Sequence, residues 1–228
     1  MLRAAAALFQ LSWPSCLPLA LVGVLASGAP GAQSIQSGES HGLRHSGEWW
    51  GLYAASGLLT LACYGAVMLR QQALIAGTPL SAFDALRRSV FALPAAAVSA
   101  VLYLLAAPFV LPLLWLSLGW LTAVWERRGP REACRRSASL VRGNAVRLAG
   151  AYLATIAAVL VFILLGGIFF GVVMALAGQA GARAGAALSG MLFSALLSLP
   201  VVFVSAVLVS CYQTLRQVAA DPQSPPDS

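Results

Sequence analysis

From Leu148 to Phe170 the chain carries no charged side chain. A helix rises ~1.5 Å per residue, so a run of this length crosses a hydrocarbon core of ~30 Å. Similar apolar runs recur along the 228 residues, separated by short charged segments. Composition agrees: 60% of residues are apolar, 9% are charged and mean hydropathy is +0.83, where soluble domains carry roughly 25% charged residues. The fold class read from this pattern is all-α, a polytopic membrane protein of about six transmembrane helices. The net charge of +7 would suit a nucleic-acid partner. The arginines flank apolar runs instead of forming a soluble basic face, so no nucleic acid is expected.

The spans are placed at about 6–26, 49–69, 89–107, 109–125, 148–170 and 188–212. Together they form one helical domain over 1–216, with a disordered tail over 217–228. The first run, with Arg3 before it and ASGAPGA near its end, has the outline of a signal peptide. Trp13, Pro14, Cys16 and Pro18 inside it argue for a retained helix. The polar segment from Ser27 to Glu48 reads as a mobile loop, and Trp49, Trp50 and Tyr53 open the second span as interfacial aromatics. Val90 to Trp125 is too long for one span and barely long enough for two. Pro108 and Pro112 mark its turn, or a broken element that could bind substrate through backbone groups. Two short spans keep Arg70, Arg87, Arg88 and the arginines from Arg127 to Arg147 on one side, as the positive-inside bias requires. Gly171 to Ala187, with Gln179 and Arg183, is the next outer connection. Of the 14 arginines only Arg44 and Arg183 then fall outside, and both termini are cytoplasmic.

Two arginine-bearing segments share a pattern. Asp84-Ala85-Leu86-Arg87-Arg88-Ser89 aligns without gaps with Glu132-Ala133-Cys134-Arg135-Arg136-Ser137. Pro79 and Pro130 are placed in the first helical turn of each, and each acid lies four residues before the second Arg, a helical pair of ~0.3 kcal/mol. Leu80, Phe83, Leu86 and Val90 gather on one side of the first. In the second, Ala133, Cys134, Ser137, Leu140 and Val141 oppose Arg131, Arg135 and Arg142. Each segment, near 79–90 and 130–142, is expected to be a short amphipathic helix in the inner interface, apolar face on lipid. Arg142-Gly143-Asn144 should stop the second. Arg87, Arg88, Arg135 and Arg136 are the candidate contacts for an anionic head group at the inner leaflet.

The run from Ala85-Leu86 and Arg88-Ser89 through a span and an apolar hairpin to Glu126-Arg127-Arg128-Gly129-Pro130, Arg135-Arg136-Ser137 and Arg142-Gly143-Asn144 resembles the YciC-like family of bacterial inner-membrane proteins. It is similar also to the membrane domain attached to some glycerophosphodiester phosphodiesterases. The likeness is best from Ala85 to Arg147. Cys134 stands where the family usually has Leu, and Asn144-Ala145-Val146 lacks a common aromatic pair. The resemblance implies a six-span helical protein of the bacterial inner membrane, mostly without an assigned reaction. The phosphodiesterase domain has no counterpart in this chain.

Neither an HExxH motif nor a P-loop occurs. No enzyme activity, cofactor or metal is expected. His41 and His45 have i,i+4 spacing, but glycines and serines around them disfavour the helix a shared metal would need. Cys16, Cys63, Cys134 and Cys211 form neither a disulfide framework nor a zinc motif. Ser194, Ser198, Ser205 and Ser210 read as helix-packing contacts, and Gly166, Gly167 and Gly171 suggest a close helix approach. The expectation is a membrane component that interacts with lipid or with a partner, either a membrane protein or a second copy. The alternatives are a small permease-like component for an apolar or weakly polar solute and, third, a hydrolase using Glu39, His41, His45 and Glu48.

Overall fold

A computed structural model describes residues 1–37, 47–106, 116–127, 129–177 and 182–220. Among these residues every element is a helix. They are α1 (Leu2–Ser37), α2 (Gly47–Ile75), α3 (Ala82–Ala106), α4 (Gly119–Glu126), α5 (Pro130–Val141), α6 (Ala145–Ala177) and α7 (Ala182–Ala220). Five of them, α1, α2, α3, α6 and α7, are long and apolar enough to cross a membrane. The chain is thus an all-α protein with several apolar helices fit to span.

Helix bounds differ from the expectation in one direction: the helices are longer. α1 continues to Ser37, into the segment expected as a loop, and at 36 residues reaches about 54 Å, well beyond a ~30 Å core. α2 runs past Arg70 to Ile75, α6 past Phe170 to Ala177, and α7 begins at Ala182 and continues through Ala220. Hydropathy marks where lipid ends, whereas a helix ends only where its backbone is capped or broken. Of the span expected over 109–125, the described helix covers Gly119–Glu126. Pro108 and Pro112, the histidine pair and Gln179 lie outside the described residues, as does 221–228.

α1 and α2 are antiparallel. Gln71 meets Ser12, Arg70 meets Ser15 and Thr60 meets Gly23, so the partners descend on one helix as they rise on the other. The Arg70 guanidinium donates to the Ser15 carbonyl of α1. α7 is antiparallel to α1, with Phe9 edge-on to Phe203 at 5.7 Å. Gln71 is fully buried among these three helices, its amide donating to Ser12 Oγ at 3.3 Å and to the Val202 carbonyl at 3.0 Å. Each such bond contributes roughly 0.6–1 kcal/mol, so one polar side chain fixes the registers of α1, α2 and α7. At the start of α2, Trp49 stacks on Tyr53 at 5.3 Å, and Trp50 and Tyr53 stay exposed. α6 lies at the margin: it packs along α7, and much of its apolar surface, including Leu153, Leu160 and Leu164, is exposed. Only Gly166 of the glycine triplet makes the expected close approach, since a Cβ there would come within 2.6 Å of Leu196; Gly167 and Gly171 have open space.

Candidate anion site at the arginine-bearing end

The first repeat is not a separate short helix. It forms the opening turns of α3, which runs through position 90 and past Pro94 to Ala106. Ser81, one residue before α3, accepts from the Asp84 N–H at 3.0 Å, and its hydroxyl donates to Asp84 Oδ2 at 2.6 Å. This reciprocal cap places the helix start after Ser81, leaving Pro79 outside the first turn. It also turns the Asp84 carboxylate toward Ser81 instead of Arg88. Upstream, α2 ends on Gly77 at φ +68, with Thr78 N–H bonded to the Ala73 carbonyl and Gly77 N–H to that of Leu74. That is the two-bond closure typical of a left-handed glycine after a helix.

The second repeat is the discrete helix α5, with Pro130 in its first turn as expected. Arg142 follows its end, Gly143 has φ +88, and the Asn144 carbonyl accepts from Leu148 N–H to begin α6. Its apolar face is turned into the protein, not onto lipid: Ala133, Ser137, Leu140 and Val141 are all buried. The reason is polar as well as apolar. Thr122 Oγ1 on α4 donates to the Ala133 carbonyl at 2.9 Å, and the Leu118 N–H donates to Ser137 Oγ at 3.2 Å. Lipid could not supply the acceptor that the Leu118 N–H finds in Ser137.

Both copies bury the same two positions. Ala85 and Ser89 are buried in α3, as are Ala133 and Ser137 in α5. Ser89 lies so close to α2 that a side chain at Gly65 would overlap its hydroxyl. The half-buried Cys134 lies over Gly119 of α4, and burial pushes its thiol above the usual value. The small residues of the repeat are therefore helix contacts.

The four candidate arginines have different surroundings. Arg87 is exposed, its guanidinium 6.0 Å from the Phe91 ring centre. Arg88 is exposed and lines a cleft of about 160 Å³ together with Arg127. Arg135 is exposed. Arg136 is half-buried, with Nε 3.7 Å from Glu126 Oε1. Glu126 also accepts from the hydroxyl of Tyr212, a fully buried residue of α7 whose ring sits edge-on to Trp125 at 4.8 Å. Sequence reasoning placed Glu126 and Tyr212 at span boundaries without connecting them. Their separation of 86 residues leaves no local signal of the contact.

Two buried serines of α7 serve their own helix. Ser198 and Ser205 are buried and donate to the carbonyls of Ala195 and Val201. Among the described residues no group of three His, Cys, Asp or Glu side chains could hold a metal. Compared with protein-family models, curated proteins and solved structures, the chain matches none.

Proposed function

We propose that this chain is a non-catalytic integral membrane component whose arginine-bearing end interacts with anionic lipid. In this reading it resides in the bacterial inner membrane with both termini cytoplasmic, and Arg87, Arg88, Arg135 and Arg136 are head-group contacts. The observation that carries it is the gathering of cations at one end of the helices. Arg88 shares a cleft with Arg127, Arg136 reaches Glu126 beside Tyr212, and Arg216 and Arg136 both lie close enough to Tyr212 to act on it electrostatically. Arginine suits the phosphate of a lipid through its paired donors.

The test is lipid identified on protein extracted in mild detergent, before and after changing the arginines to Gln in pairs. Retained anionic phospholipid that is lost in Arg87→Gln/Arg88→Gln or Arg135→Gln/Arg136→Gln, with topology preserved, is the expected result. Variants that invert or fail to insert, or wild-type protein carrying no anionic lipid, refute the reading. Cysteine labelling of 127–144 from outside the cell would refute the topology.

One observation favours the permease alternative. A cleft of about 310 Å³ opens between α1, α6 and α7, lined by Trp13, Leu17, Phe169, Phe170, Leu196 and Leu199 among others, and it is almost wholly apolar. Protein-dependent flux of a small apolar solute into vesicles, abolished by Leu196→Trp, would favour that reading over the first.

A further inference from the structure

Arg88 lies on α3 and Arg127 follows the close of α4, and the two line the same cleft with Phe91, Ala92, Ala95 and Ala123. Two exposed arginines thus border one cleft of about 160 Å³. Among the described residues neither has a carboxylate in ion-pair range. The acid best placed on the helix to neutralise Arg88 is Asp84, and its Oδ2 is engaged by the Ser81 hydroxyl. Arg127 adopts φ 50 and ψ 38, the one positive φ at a non-glycine among the described residues. Such a conformation is uncommon for a residue with a Cβ. The floor between the arginines is made of alanines, which leaves the room.

The cleft opens at the head of an apolar stripe. Phe91, Val98, Leu102 and Leu105 are exposed and recur at helical spacing along one side of α3. From Phe91 to Leu105 the stripe runs about 21 Å, more than the ~15 Å depth of one leaflet's hydrocarbon. Paired cations above an exposed apolar track match an amphiphile with an anionic head. Inorganic phosphate would use the first part and leave the second idle.

We propose that Arg88 and Arg127 clamp the phosphate of an anionic glycerophospholipid whose acyl chain lies along the Phe91–Leu105 side of α3. This rests on the lipid-interacting reading above but names a different pair of arginines. The ligand is recognised by its phosphate and by one chain, so phosphatidic acid and phosphatidylglycerol both qualify, while phosphatidylcholine, whose head carries a compensating cation, does not.

The full chain in neutral detergent is mixed with phosphatidylglycerol and phosphatidylcholine, and bound lipid is counted by native mass spectrometry. Wild type is expected to prefer phosphatidylglycerol. Arg88→Gln and Arg127→Gln should each weaken that preference about fivefold, and together abolish it. Arg142→Gln is the control, expected to change nothing. Ala95→Leu fills the cleft floor without altering charge and should lower binding as well, which keeps the proposal testable if the arginine variants do not fold. Inorganic phosphate is titrated in parallel. Inhibition by phosphate only at large excess supports a lipid, and phosphate competing at equal concentration overturns the acyl-chain half of the proposal. If Arg88→Gln/Arg127→Gln binds as wild type while Arg135→Gln/Arg136→Gln does not, this site falls and the broader reading stands. If wild type shows no preference for anionic lipid, both fall.

Discussion

Replacing Tyr212 with Phe removes one hydroxyl from a fully buried side chain and should loosen the whole arginine-bearing end. The hydroxyl donates to Glu126 Oε1, joining α7 to the end of α4 across 86 residues of sequence. The Glu126 side chain is only 17% exposed, so water cannot easily replace the lost donor. Arg136 lies 3.7 Å away and is 36% exposed, which makes it a poor substitute; such a pair contributes under about 1 kcal/mol. A hydrogen bond to a charged acceptor contributes about 1.5–3 kcal/mol, and the Phe ring would keep its edge contact with Trp125. The expected loss is therefore about 2 kcal/mol. Glu126→Gln retains an acceptor but no charge, and should cost about 1 kcal/mol. Because both changes act on the same bond, Tyr212→Phe removing it and Glu126→Gln weakening it, the double variant should fall short of the summed losses by about 1 kcal/mol. Equilibrium unfolding in mixed micelles measures all four proteins. A Tyr212→Phe loss below about 0.3 kcal/mol, or strict additivity in the cycle, would refute the clamp.

Gln71→Leu keeps the volume but removes the bonds to Ser12 and Val202, and should cost about 1 kcal/mol; Gln71→Ala adds a cavity and should cost about 2 kcal/mol or more, both read by the same unfolding assay. Gly143→Ala places a Cβ on a residue at φ +88 and should cost about 1–2 kcal/mol, whereas Gly150→Ala, helical with open space around it, should be neutral or stabilising by up to about 1 kcal/mol. Alkylation of Cys134 should be slower at neutral pH than that of a free cysteine, because burial raises its pKa and only the thiolate reacts. Its rate should keep climbing with pH after the free-cysteine control has levelled off, and a plateau at lower pH than the control would refute the burial argument.

The membrane class and most of the spans were legible because hydropathy is a local property, summed over one window at a time. So were local stops: Pro130 at the start of α5, and Arg142-Gly143-Asn144 at its end, act through their own backbone. The fate of the first repeat was less legible. A proline and an amphipathic face suggested a short interfacial helix, but Ser81 and Asp84 cap the chain at Ala82, and nothing before Ala106 stops it. The side on which a face is buried was also hidden. Ala133 and Ser137 could have faced lipid or protein, and the choice was made by Thr122 and Leu118, which lie on another helix. The particular neighbours, Arg88 with Arg127 at one cleft and Glu126 with Tyr212, did not appear in the sequence for the same reason, since they depend on the packing of α4.

The repeated hexapeptide thus encodes two things that sequence alone merges. Ala85 with Ser89, and Ala133 with Ser137, are one helical turn apart and small enough to let the next helix approach. This packing need accounts for the recurrence without any ligand. The arginines between them are free to diverge, and they do. Extending the alignment without a gap puts Thr78 in the first copy opposite Glu126 in the second. Where Glu126 stands, Arg136 has an internal carboxylate, and the charge is absorbed into a clamp with Tyr212. The first copy has Thr78 at that aligned position, and its equivalent Arg88 is exposed and lines a cleft with Arg127. One repeat spends its arginine on holding the helices together. The other leaves its arginine exposed at the cleft it lines with Arg127.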